Sequence, residues 1–265
     1  MKISVLLPYK ENFSDEYAGA VSIFINSVNS KSIYKNEIKV YGNTKYKKIL
    51  SKNYFNLSLE NKSILESSSN YYVNNFLKKK EVVNSDIIEI HNRPNYIKKI
   101  LLLNKVKKFL YFHNNPLEMK GSTSINERLF LIKHIDKIIF NSEWTKKQFL
   151  IGLPSIYWKI DKLAIVYQST KKKRIDFKKK SKIITFVGKL NAAKGYDLFG
   201  KACIKILKDF PDWKVEVVGD EAREKVNFKH PRFNLNGFQN HKFVQNLYKK
   251  TSIAIVCSRW EEPFG

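Results

Sequence analysis

The sequence predicts an α/β protein whose sheets are parallel. From one end of the chain to the other, short apolar runs alternate with segments whose apolar residues recur about every three to four positions, as strands and helices do in βαβ units. Several runs stop at glycine, proline or a His-Asn pair, at the edge where α/β sheets bind ligands. The sharpest instance is 183–195. Ile183, Ile184, Phe186 and Val187 read as a buried strand, Gly188 and Lys189 end it, and Lys194-Gly195 lead into a helix carrying Leu198, Phe199, Ala202, Cys203, Ile206 and Leu207 on one face. Such a turn can hold a phosphate, because helix-end N–H groups and their partial positive charge face the anion while Lys189 and Lys194 add full charges. Taken singly, the turn reads first as a solvated basic loop.

In chain order, residues 2–8 form an opening strand and 10–17 a polar loop, and Ala18-Gly19-Ala20 start a helix with Val21, Phe24, Ile25 and Val28 on its apolar face. Gly19 permits close backbone approach, either by a ligand or by a packed strand. Residues 37–42 read as a second strand, 45–69 are polar and carry no clear period, and 72–80 look helical and basic. Residues 86–92 form a strand ending in His91, Asn92 and Arg93, with Pro94 turning the chain out of it. Residues 107–114 form the next, ending in His113 and Asn114. Two neighbouring strands that finish in His-Asn point to a site on this half, a structural hydrogen bond being the other role open to each histidine. A helix follows over 121–134 with Glu127, Arg128 and Lys133 on its polar side, then a strand over 136–142, a helix capped by Ser142, and a last strand over 163–167.

The run 171–182, KKKRIDFKKKSK, is the clearest change of composition and reads as a solvated linker, which divides the chain into domains 1–170 and 182–265 around a basic segment 171–181. Beyond the helix after Gly195 come Val215, Val217 and Val218 leading to Gly219-Asp220, then Leu235-Asn236-Gly237-Phe238, a helix around Phe243, Leu247 and Tyr248, and a strand over 253–257 that enters Ser258-Arg259-Trp260-Glu261-Glu262-Pro263-Phe264-Gly265.

With 265 residues, 43 % of them hydrophobic, the chain is long enough for two packed α/β domains and is not a disordered protein. Lys and Arg number 49 against 24 Asp and Glu, a formal charge of +25, yet only six are Arg and the lysines are spread throughout. That distribution fits a biased residue usage first, attraction to an anionic membrane face second, and nucleic acid least, since no recognition-helix or zinc-finger pattern accompanies it. Cys203 and Cys257 lie within apolar patterns without metal or disulfide spacing and read as buried thiols in a reducing compartment. No secretory signal and no run of about 18 apolar residues is visible, so the expectation is a cytoplasmic protein, with the inner face of the plasma membrane as a peripheral contact.

The ordered pieces 184–189, Lys194-Gly195, 217–220, 235–237 and 262–265 together resemble the donor-binding half of glycosyltransferase family 4, retaining nucleotide-sugar-dependent enzymes of the GT-B fold, and the first half is similar to that family's acceptor domain. The resemblance implies two Rossmann-like domains facing across a cleft. It implies that Gly188, Lys189, Lys194 and Gly195 hold the donor diphosphate, that Glu262 accepts hydrogen bonds from donor-sugar hydroxyls, that His113 lines the sugar pocket, and that Gly19 approaches donor or acceptor. His91, Asn92, Arg93 and Asn114 are the acceptor-side candidates. Lys189 stands where the family usually has arginine, which keeps the charge and loses the bidentate fork.

The implied activity is transfer of a hexose from a nucleotide-diphosphate donor, UDP-linked or similar, to a glycan or lipid-linked acceptor of cell-surface polysaccharide or lipopolysaccharide synthesis, with no cofactor, no metal and no nucleic-acid partner. Fixed cations near the leaving diphosphate would stabilise the charge that grows on it. The family's second glutamate would fall beyond Gly265, so the sequence reads as truncated, with the second domain incomplete and poor solubility expected. A fragment that binds nucleotide-sugar without turnover, and another GT-B enzyme such as an epimerase or a phosphorylase, are the competing readings.

Overall fold

The computed structural model describes residues 1–60, 62–169, 174–221, 224 and 226–264. Lys171, Lys172 and Lys173 of the expected linker, and Gly265, lie outside the described residues. The chain divides into two compact units, Met1–Ser169 with Pro263–Gly265, and Thr170–Glu262.

The first unit runs β1 (Ile3–Leu6), α1 (Ala20–Asn29), β2 (Ile38–Gly42), β3 (Tyr54–Asn56), α2 (Ser68–Leu77), α3 (Lys80–Val83), β4 (Ile87–His91), α4 (Ile97–Ile100), β5 (Lys107–Phe112), α5 (Ile125–His134), β6 (Lys137–Phe140), α6 (Glu143–Leu150) and β7 (Leu163–Ile165). Its seven strands pair in the order β3-β2-β1-β4-β5-β6-β7, every ladder parallel. Alternation along the central strands sorts two faces. Ile88, Ile90, Leu110 and Phe112 enter the larger core with Val73, Phe76, Leu131 and Phe149, while Val5, Leu7, Val40 and Ile25 form a second core under α1. On α1 the expected apolar face is shifted: Ser22 and Ile25 are buried and Val28 is 49 % exposed. The strand β3 has no counterpart in the sequence pattern, because three residues are too few to show a period and Tyr54 earns its place by stacking on Phe13 at 5.2 Å.

Arg128, expected on the polar side of α5, is 3 % exposed. Its Nη1 donates to the carbonyls of Phe149 and Ile151, both at 2.8 Å, and of Gln148 at 3.4 Å, closing the carboxyl end of α6 that otherwise leaves carbonyls unpaired. Burial pulls the guanidinium below its usual range. Arg128→Met keeps the volume and removes the donors, so we expect a loss of about 2–4 kcal/mol in urea unfolding, the cost of orphaned carbonyls and lost charge-assisted bonds. Ser142 caps α6 as expected, accepting from Thr145 N at 3.1 Å.

The second unit runs β8 (Ser181–Val187), α7 (Tyr196–Asp209), β9 (Lys214–Val218), β10 (Phe233–Leu235), α8 (His241–Lys250) and β11 (Thr251–Ala254), with parallel strands ordered β10-β9-β8-β11. The buried face of α7 is Tyr196, Phe199, Gly200, Cys203 and Leu207, whereas Leu198 and Ala202, expected inside, are exposed. Gly200 faces inward, where the Phe228 ring lies 2.0 Å from its ideal Cβ, so the close approach of ring and helix there requires glycine. The strand expected over 253–257 starts and ends earlier, and Cys257, beyond it, is half-buried and not a core thiol like Cys203. Within the expected linker, Phe177–Lys179 form a turn of 3-10 helix and Ser181 already belongs to β8. Among the described residues no helix is long and apolar enough to cross a membrane.

Candidate functional site

Each sheet reverses its strand order beside its first strand, between β1 and β4 in one unit and between β8 and β11 in the other. At such a switch point the loops leaving two adjacent strands diverge to opposite faces, and the carboxyl edge between them is open to a ligand. Two cavities of about 330 Å³ lie instead at the amino ends of β1 and β2, lined by Asn36 and Ile38 or by Lys2, Ile3 and Glu37, the edge opposite those loops.

In the second unit the β8–α7 turn supplies Lys194 and the segment after β11 supplies Glu262. The Lys194 Nζ lies 2.5 Å from Glu262 Oε1, the two side chains being 27 % and 28 % exposed, and sits 4.8 Å from the centre of the Trp260 ring. The two residues taken from distant parts of the sequence thus share one place, a lysine held over an aromatic face and paired with a carboxylate. The turn is anchored to that segment by main-chain bonds from Arg259 N at 2.9 Å and Trp260 N at 3.2 Å to Ala193 O. Arg259 also grips Asp197, in the first turn of α7, through Nη1–Oδ1 and Nη2–Oδ2 contacts of 2.7 and 2.9 Å, which holds that carboxyl down to about 2.

Several amides of this turn are taken by the chain itself. Gly188 N donates to Val218 O at 3.0 Å, Lys194 N to Asn191 Oδ1 at 3.0 Å, Gly195 N to Ala192 O at 3.0 Å, and Tyr196 N to Asn191 O at 3.2 Å. Asn191 thus ties the turn to the first residue of α7, and the Lys194 ammonium stands beside that helix start. Gly195 has φ +73° and an ideal Cβ 2.0 Å from Cys257 O, so its glycine serves the close passage of two chain segments. Lys189 is exposed.

In the first unit, Gly19 precedes α1, and the space a side chain would fill there holds the Glu11 carboxylate, 2.1 Å from the ideal Cβ. Glu11 Oε1 accepts from Ser22 N at 3.1 Å, so a carboxylate of the chain itself occupies the start of α1. Burial raises the Glu11 carboxyl above its usual range, against the lowering by Ser22, Arg93 and His91. With a folded-state value above the unfolded one, the folded chain holds the extra proton, and stability declines as pH rises through the raised value. Glu11→Gln is expected to gain on wild type as pH goes from 4 to 8, read as urea midpoints, and a relative loss over that range would contradict it.

The two expected histidines come together at the ends of β4 and β5. His91 is fully buried and His113 7 % exposed, and His91 Nδ1 lies 2.8 Å from His113 Nε2. Asn92, with φ +50°, directs Oδ1 at His113 N, 2.7 Å away, so its side chain is spent on holding the β5 end. Arg93 is half-buried with Nη1 2.7 Å from Asn92 O, and Asn114 is exposed. Three polar partners escaped the sequence reading: Glu11, Glu89, whose Oε1 is 2.6 Å from His91 Nε2, and Gln168, whose Nε2 is 2.6 Å from His113 Nδ1. Period-two spacing of Glu89 with His91 would have put the first pair on one face, but the reach to Gln168 follows no local spacing.

Comparison with known proteins bears on the second unit first. Residues 168–265 match the family model for Glycosyl transferases group 1. The group 1 segment thus contains β8, α7, Lys194 and Glu262. Solved structures similar to the whole chain include Anabaena Alr3699/HepE in complex with UDP and glucose, at 13 % identity and TM-score 0.68, covering 100 % of this chain and 76 % of that one. The lipopolysaccharide outer core galactosyltransferase WaaB, apo form, is similar at 16 % identity and TM-score 0.57 over the same shares. An alpha-glucosyltransferase in complex with UDP is similar at 12 % identity and TM-score 0.60, covering 99 % of this chain and 75 % of that one. Likeness at these identities establishes the fold, an α/β architecture of the GT-B type with two parallel sheets. Among curated protein sequences none matches this chain.

Proposed function

We propose that the chain is a glycosyltransferase of family 4 type that moves a hexose, with retention, from a UDP-linked donor to a glycan or lipid-linked acceptor. The observation that carries this reading is the meeting of Lys194 with Glu262 beside the β8–β11 switch point, inside the group 1 segment. A donor diphosphate takes the place of the Glu262 carboxylate on the Lys194 ammonium, and the released Glu262 turns to the hydroxyls of the sugar. Charge on the leaving diphosphate grows in the transition state, so a lysine fixed there stabilises that state more than the bound donor. UDP-bound relatives of the same fold support a uridine donor. In this reading His113 lines the sugar pocket, Lys189 adds charge beside the diphosphate, His91, Asn92, Arg93 and Asn114 are the acceptor-side group, no cofactor is required, and the strong positive charge suits peripheral contact with an anionic cytoplasmic membrane face.

UDP release from a panel of UDP-hexoses, with the anomeric configuration of the product read by NMR, tests the proposal. Donor-dependent UDP release with a retained anomer is the expected result. Donor binding without turnover would favour a binding protein, and an inverted anomer would remove the family 4 reading.

A further inference from the structure

The contacts of His113 form a chain of four groups: Glu89 Oε1 to His91 Nε2 at 2.6 Å, His91 Nδ1 to His113 Nε2 at 2.8 Å, and His113 Nδ1 to Gln168 Nε2 at 2.6 Å. A carboxylate only accepts and an amide nitrogen only donates, while a neutral imidazole does one of each. Both ends therefore set the same direction. Gln168 donates to His113 Nδ1, His113 Nε2–H donates to His91 Nδ1, and His91 Nε2–H donates to Glu89. Burial and the neighbouring His91 keep His113 well below the usual histidine range, which suits a neutral ring.

The ring is also locked in place. Tyr111 stacks on His113 at 4.6 Å and 12° and on His91 at 5.4 Å and 13°, Phe24 meets His113 edge-on at 5.2 Å, and the His113 main chain is held by Asn92 and by Asn141 Nδ2 at 3.0 Å. Gln168 differs. It is half-buried, beyond β7, on a segment without regular structure. Its place outside the strands lets its side chain leave without disturbing β4 or β5.

We propose that Glu89 and His91 are positioning residues that fix His113 with its proton on Nε2 and a lone pair on Nδ1, and that the Gln168 amide covers that lone pair until a sugar hydroxyl replaces it. The hydroxyl assignment rests on the glycosyltransferase reading, whereas the placement of the protons does not. A lone pair selects a ligand group that donates, so an O–H is accepted there and a ring or ether oxygen is refused.

The test is the full chain labelled with ¹⁵N-histidine, whose ring nitrogens report protonation directly. An unprotonated Nδ1 and protonated Nε2 on His113 are expected in wild type, in Glu89→Gln, where an amide oxygen still accepts, and in Glu89→Leu, where Gln168 still donates, with mixed tautomers once both ends are removed in the double variant Glu89→Leu, Gln168→Leu. Should the double variant fail to fold, Gln168→Leu decides: with Glu89 alone setting the direction, His113 keeps its proton on Nε2 and leaves Nδ1 unprotonated. A protonated Nδ1 on His113 in wild type or in Gln168→Leu, or unchanged tautomers in the double variant, would overturn the proposal. With UDP-glucose as probe, Glu89→Leu is expected to lower kcat/KM about tenfold, one hydrogen bond's worth, and Glu89→Gln to restore it. A wild type that releases no UDP from any donor contradicts the enzyme reading, while the spectra still decide the proton placement.

Discussion

Lys194→Ala is expected to lower kcat for UDP release by about 10²–10³, or roughly 3–4 kcal/mol of transition-state stabilisation, the size found when one fixed partner of a developing charge is removed. The fold should survive the change. Lys194 and Glu262 are each about a quarter exposed, so the freed carboxylate is reached by water, and an unfolding shift within about 1 kcal/mol is expected. Lys194→Arg keeps the charge but replaces a compact ammonium with a wider fork beneath Trp260, so partial activity is expected. Lys189→Ala, at an exposed position, should cost less than Lys194→Ala. Equal turnover in wild type and Lys194→Ala would remove this lysine from the chemistry.

Gly195→Ala is expected to destabilise the second unit by about 2–4 kcal/mol, through two effects that a second variant separates. The residue sits at φ +73°, a conformation that costs an L side chain roughly 1–2 kcal/mol, and its new Cβ would lie 2.0 Å from Cys257 O, a main-chain atom that cannot swing aside. Gly237 has φ +62° with nothing within 4 Å of its ideal Cβ, so Gly237→Ala carries the first cost alone. The difference between the two in urea midpoint measures the collision. Moving the 257–260 segment also loosens its bonds to Ala193 O, and with them the seat of Glu262, so Gly195→Ala should lose activity at temperatures where it is still folded. Equal destabilisation by the two substitutions would mean that the close passage at Gly195 carries no strain.

The alternation of strand and helix was legible because period two and period 3.6 are properties of neighbouring residues. It gave β1, β4, β5, β8 and β9 and the start of α7 nearly in place. What it could not give was anything decided by a distant segment. Arg128 looks like a polar-face residue until the end of α6 is set against it, and Leu198 looks buried until Phe228 is seen packed on Gly200 instead. The same holds at the sites. His91 and His113 stood out at strand ends, but their mutual bond depends on the β4–β5 register, and Gln168 reaches them from beyond β7. Glu11 went unnoticed in a polar loop because only the folded chain brings its carboxylate against Gly19 and the start of α1. For Lys194 the residue was legible and its partners were not: its amide is taken by Asn191 Oδ1 and its ammonium meets Glu262.

The most direct measurement is an experimental structure of the chain with UDP bound. The expected result has the β-phosphate within hydrogen-bond distance of Lys194 Nζ and the Glu262 carboxylate displaced from it. UDP seated elsewhere with the Lys194–Glu262 pair intact would contradict the account.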